Sequence, residues 1–305
     1  MSWIIGGVLA LVISAAAAWA LEWLIDCERP ALQLPPTLLR TRRLRPLIVT
    51  VSAVALMLAL AYAEIVGGCL ATPEVRPDSA SVPLRTVFHC GLVLFLVLGT
   101  AIDLDCYLLP DQITFPGMIW GLAGAAWIAD AQIAHLWVDW REAIPGISGP
   151  YIPEWYHQNR ILHAVAWSGA GLLTGGVFTA VVRSVSSRLL GQEAMGFGDV
   201  TLMAMIGSVI GWQAVLATFA VAPLTGLLIA LIGYVGFGRT YMPYGPCLAA
   251  AAIIVLFAWS RIWDHTRLFF SDPVAIAIIL GVALTSLVVL LGALRLYRAI
   301  PTKSA

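Results

Sequence analysis

Apolar runs close to 20 residues long recur from one end of the chain to the other, and few folds can accommodate them. Of 305 residues, 60% are apolar and 11% charged, where a soluble domain carries roughly 25% charged residues. Helices crossing a bilayer need about 20 apolar residues. In lipid, only helices or closed barrels satisfy the backbone, and the alternating polarity of barrel strands is absent here. The expectation is an all-α, polytopic membrane bundle with nine spans, near 3–25, 46–67, 84–103, 112–131, 161–182, 199–213, 215–236, 247–263 and 273–294. The first run lacks the basic flank of a secretory signal and is longer than its apolar region, so it reads as a helix of the mature chain.

Lys and Arg favour the cytoplasmic side of a membrane. With the N-terminus outside, eleven of the seventeen basic residues fall in cytoplasmic connections and six outside. This predicts N-out, C-in. Arg40, Arg42, Arg43 and Arg45 read as topology determinants and anionic-lipid contacts rather than a nucleic-acid patch. The five cysteines are scattered with no CxxC pair, which argues against a zinc ribbon or a disulfide framework. They are expected to pack as small apolar residues. His89 and His163 read as hydrogen-bonded structural histidines, because no partner stands at metal-ligand spacing. No metal and no cofactor is expected. The aromatic connection 134–160 is expected at headgroup level, and Gly121, Gly124, Gly169, Gly171, Gly175 and Gly176 are expected to let helices approach closely.

Chemistry concentrates in two places. Asp103-Leu-Asp105-Cys-Tyr-Leu-Leu-Pro-Asp111 puts three carboxylates directly after an apolar run, and Gly196-Phe-Gly198-Asp199 opens another. Two spans lie between them, so both motifs return to one membrane face. Acids at membrane depth are costly and mark function. If Asp103 and Asp199 face each other, they cannot both ionise cheaply and hold one proton between them, the working state of an aspartic protease. Gly196 and Gly198 are expected to supply unusual dihedrals and to let a substrate backbone lie beside Asp199. The bland alternative is a loop before a helix whose first turn welcomes an acid, with Asp111 only an N-cap.

Taken together, these residues resemble the type IV prepilin peptidase family, membrane aspartic proteases of the GxGD type. The resemblance rests on Ile102-Asp103-Leu104-Asp105 with Leu108-Leu109-Pro110-Asp111, on Gly196-Phe197-Gly198-Asp199-Val200, and on Pro243-Tyr244-Gly245-Pro246, and it covers roughly residues 90 to 262. It implies Asp103 and Asp199 as the catalytic pair. Asp105, Asp111, Gly196, Gly198, Pro243, Gly245 and Pro246 would support the site. It also implies a prepilin or pseudopilin helix as substrate, cut at the cytoplasmic face of the inner membrane. The expected organisation is an N-terminal membrane segment over 1–83, a peptidase core over 84–264 and a last helix with a tail over 265–305. Residues 1–89 lack the paired CxxC motifs associated in the family with methyl transfer, so that activity is not expected. Thr201 stands where the family usually has Lys. That departure supports a second reading, a catalytically degenerate scaffold of a pilus or secretion system. A proton-coupled transporter is a third, weakened by the absence of an inverted repeat.

Overall fold

The computed structural model describes residues 11–20, 44–75, 77–143, 150–152, 154–238 and 243–299. Eight helices are labelled here: α1 (Arg45–Ile65), α2 (Val82–Cys106), α3 (Asp111–Ile128), the short α4 (Glu154–Gln158), α5 (Arg160–Leu190), α6 (Phe197–Phe237), α7 (Gly245–Phe270) and α8 (Pro273–Ala299). A further helical stretch runs over Leu11–Ala20. The expected first span near 3–25 therefore lies only partly among the described residues. Among the described residues six helices, α1, α2 and α5 to α8, are long and apolar enough to cross a membrane.

Two details refine the expected picture. The break between the spans anticipated at 199–213 and 215–236 falls at Gly211, where φ is 79° and ψ 172°, dividing α6 into two helical segments. A side chain at this position would be strained by its positive φ and would also collide with the Trp167 indole. The second detail is a two-stranded antiparallel ribbon, β1 (Asp139–Ala143) with β2 (Pro150–Tyr151), inside the aromatic connection.

Small residues set the centre of the bundle. α6 packs most extensively against α5, and then against α7 and α3. Along the α5–α6 seam a Cβ on Gly171 would run into the Gly207 carbonyl, one on Gly207 into the Gly171 carbonyl, and one on Gly175 into the Met203 carbonyl. Backbone therefore meets backbone, as small residues permit in lipid. Gly121 abuts Ser208 and Gly124 abuts Phe88, whereas Gly169 faces open space, so its expected packing role is not realised. Because neither carbonyl can yield, Gly207→Ala should lower stability in detergent by about 3 kcal/mol, near the upper end for overpacking. Thermal unfolding of the purified protein measures it, and an unchanged midpoint would contradict the seam.

The connection 129–138 is fastened to the end of the bundle remote from the acids. Indole and amide donors do this work: Trp259 to the Ile133 carbonyl at 2.9 Å, Trp212 to Leu136 at 2.7 Å and Gln213 to His135 at 2.7 Å. His163 Nε2 accepts the Leu136 N–H at 3.2 Å, and His89 Nδ1 lies 3.3 Å from Glu64. Both histidines are thus engaged structurally, as expected. The aromatics of the next stretch pack on the protein: Trp137 stacks on Trp212, Tyr156 donates to Asp130 at 3.1 Å, and the Arg267 guanidinium lies 4.2 Å from the Trp140 ring centre.

At the same end Glu74 is 5% exposed, and neither of its carboxylate oxygens makes a hydrogen bond of normal geometry among the described residues. Burial pushes its pKa up to about 7, only partly offset by its own N–H and the Trp263 indole. The folded state therefore binds this proton more tightly than the unfolded chain. The associated stability is full below the ordinary carboxyl range and is lost as pH rises through about 7. Glu74→Gln should be the more stable protein at pH 8, by about 3 kcal/mol, with the advantage gone at pH 4. Parallel pH profiles of thermal unfolding for the two proteins would refute this.

Candidate active site

The two motif acids reach one cavity from different helices. Asp103 sits in the last turn of α2 and Asp199 in the first turn of α6. Their carboxylates are 5% and 8% exposed as residues, line the same cavity of about 920 Å³, and lie within electrostatic reach of each other.

Local backbone explains both placements. α2 stops at Tyr107, which adopts the left-handed conformation with φ 53°, an uncommon choice for a side chain other than glycine. The turn 107–110 follows, with Pro110 extended as the N-cap of α3. This reversal folds Leu109 under the acids and brings Asp111 to the cavity rim. Asp199 is the third helical residue after the N-cap Gly196, and its carboxylate lies beside the Gly196 N–H, at the position from which a capping-box acid reaches back. The Asp103 carboxylate lies against the backbone of Gly245, which opens α7. A carboxylate in the last turn of its own helix is disfavoured by that helix's dipole. Here it is offset by the amino end of another.

The expected roles divide accordingly. Asp103, Asp111, Gly196, Gly198, Asp199 and Pro243 line the cavity. Pro246 occupies the first turn of α7, where its missing N–H costs nothing. Asp111 is inside α3 rather than its N-cap, and exposed. Asp105 does not line the cavity; it is ion-paired with Arg45 of α1. Arg45 itself is 3% exposed, so the lipid contact expected of it is not made; Arg40, Arg42 and Arg43 lie outside the described residues.

The glycines act differently from expectation. Gly196 has φ −68° and ψ 156°, open to any residue, and Gly198 has no positive φ either. What Gly198 provides is room: a Cβ there would stand 2.8 Å from Cβ of Leu109. Tyr244 belongs to the Pro243–Pro246 motif, which implies no role for it. It lines the cavity, and burial, with Cys247 and Asp199 nearby, pushes its phenol up to about 12, leaving a neutral O–H donor. Thr201 is 5% exposed and donates to the Gly198 carbonyl at 3.0 Å.

Residues 90–231 match the type IV leader peptidase family. This segment is similar to type IV leader peptidases. Among similar proteins are the prepilin leader peptidase/N-methyltransferase of Xanthomonas campestris pv. campestris, 30% identical over 54% of this chain and 48% of its own length, and that of Aeromonas hydrophila, 32% identical over 54% and 47%. The type 4 prepilin-like proteins leader peptide-processing enzyme of an Escherichia coli strain is 27% identical over 54% and 49%. The chain spans about half the length of these curated relatives. No solved structure matches it significantly. The leader peptidase match takes in the first acid motif, the GxGD segment and most of α6, but leaves α1, Tyr244 and Gly245 outside.

Proposed function

We propose that this protein is a membrane aspartic endopeptidase that removes the leader of type IV prepilins or type II secretion pseudopilins at the cytoplasmic face of the inner membrane. One observation carries the reading: Asp103 and Asp199, ninety-six positions apart, share a single cavity at one end of an apolar bundle. Two neighbouring carboxyls hold one proton. The ionised member takes a proton from water as the water oxygen bonds to the scissile carbonyl carbon, and the protonated member gives its proton to the carbonyl oxygen. Collapse of the tetrahedral adduct breaks the C–N bond, with a proton passing to the departing nitrogen. Both carboxyls then return to their starting state. The Gly196 and Gly245 N–H groups lie beside the two carboxylates and bring no competing charge.

The cytoplasmic placement rests on the bias of Arg and Lys towards the connections at the acidic end. The proposal covers peptide cleavage only, since residues 1–89 contain Cys27 and Cys69 and no CxxC pair. Co-expression with a prepilin, followed by mass spectrometry of the pilin, tests it: a shortened product supports cleavage, and a full-length product refutes it. A second reading, a non-cleaving scaffold, is favoured by one observation, the Thr201 hydroxyl turned to Gly198 where the family usually has a cation. Cleavage by Thr201→Lys but not by the wild type would support the scaffold.

A further inference from the structure

The Arg45–Asp105 ion pair joins α1, outside the leader peptidase match, to the helix end that carries Asp103. Both charges sit at the unfavourable end of their own helix. Arg45 is the first residue of α1, where the dipole is positive, and Asp105 is in the last turn of α2, where it is negative. Neither position helps its helix. Both side chains are almost fully buried, at 4% and 2% exposure, so removing either leaves the other charged and desolvated.

The surroundings point the same way. Ile102 and Cys106, on the same turn as Asp103 and Asp105, belong to an apolar cluster with Val49 of α1, Ala18 of the preceding helical stretch and Ile113 of α3. One side of the last turn of α2 is therefore gripped by α1, while Asp103 faces the cavity and Gly245 from the other. At the far end of the same antiparallel pair, Arg85 and His89 of α2 meet Glu64 of α1 at 3.4 and 3.3 Å. α1 is thus tied to α2 at both ends.

We infer that Arg45 is a positioning residue for the acid pair: by holding Asp105 it fixes the last turn of α2, and with it the direction of Asp103, which makes α1 part of the working peptidase. The inference rests on the peptidase reading for its activity consequence but not for its structural one, and the test separates them. In a background keeping Cys106 as the sole cysteine, a maleimide reports whether the last turn of α2 is held, and prepilin cleavage is followed in the same preparations.

Arg45→Gln should expose Cys106 to labelling and lower kcat by about 100-fold with KM little changed, the scale of loss from a misplaced reacting group. Arg45→Lys should restore both. Arg45→Gln/Asp105→Asn, which leaves no unpaired buried charge, should fall between the Arg45→Gln single variant and wild type, the non-additivity of a coupled pair. If Arg45→Gln fails to accumulate, the Lys and double variants carry the comparison. Protected Cys106 with full cleavage in Arg45→Gln overturns the inference, as does a double variant whose losses simply add. Absent wild-type cleavage with Cys106 exposed only when the pair is broken would sink the peptidase reading and leave the tether standing.

Discussion

Asp103→Ala and Asp199→Ala should each abolish leader removal, by at least about 1,000-fold, because a pair acting as one unit fails when either member is lost. The apolar spans do not depend on these acids, so both variants should remain in the membrane at wild-type abundance. Removing an acid that is 5% or 8% exposed also takes away a buried polar group, so neither variant should lose thermal stability. Asp103→Asn and Asp199→Asn keep the shape and the N–H contacts partly intact but cannot take a proton from water, and they should be equally inactive. Processing of a co-expressed prepilin, read by mass, decides the matter. Cleavage surviving in any of the four would remove the dyad assignment.

Gly245→Ala should cost about 100-fold in cleavage, again the scale of a sub-ångström to ångström misplacement. A methyl group there would collide with Oδ2 of Asp103 and stand 2.7 Å from Cδ1 of Leu109. Both colliding atoms are side-chain ends, so relief comes either from turning the Asp103 carboxylate or from a retreat of the start of α7. Either movement separates the Asp103 carboxylate from the Gly245 N–H beside it. The rest of α7 is anchored by Leu248, Val255, Leu256 and Trp259, all fully buried, so the helix should stay in place and the loss should appear in kcat. Gly196→Ala is the control. Its added Cβ would come no closer than 3.7 Å to Asp199 Oδ2, an ordinary contact, and its φ suits any residue. It should cleave within a few-fold of wild type. Equal activity of the two variants would show that the close approach at Gly245 does not matter.

How far the site was legible depends on what kind of signal each residue leaves. Asp103 and Asp199 stand out because acids are rare in a chain with 11% charged residues. The two spans expected between them predict that both return to one face. Asp111 and Pro243 follow from their motifs and line the cavity. Gly198 is expected to supply unusual dihedrals and room for a substrate backbone; in the structure it supplies space against Leu109, a residue 89 positions away that periodicity cannot pair with it. Tyr244 left no signal of its own, since an aromatic residue between two membrane helices ordinarily reads as an interfacial anchor. Arg45 was read by composition as one of a basic group, and nothing local distinguishes a buried arginine from its exposed neighbours.

The sequence by itself determined the class of solvent and the kind of backbone. Long apolar runs leave helices as the means of satisfying N–H and C=O groups in lipid, and scarce acids mark where chemistry can occur. Tertiary structure decided which of those acids share a cavity, that the break in α6 at Gly211 lies against Trp167, and that Asp105 turns away from the cavity towards Arg45. These outcomes depend on contacts between residues 44 to 142 positions apart in the chain. Such contacts are set by packing and by the pairing of buried charge, and no local pattern encodes them.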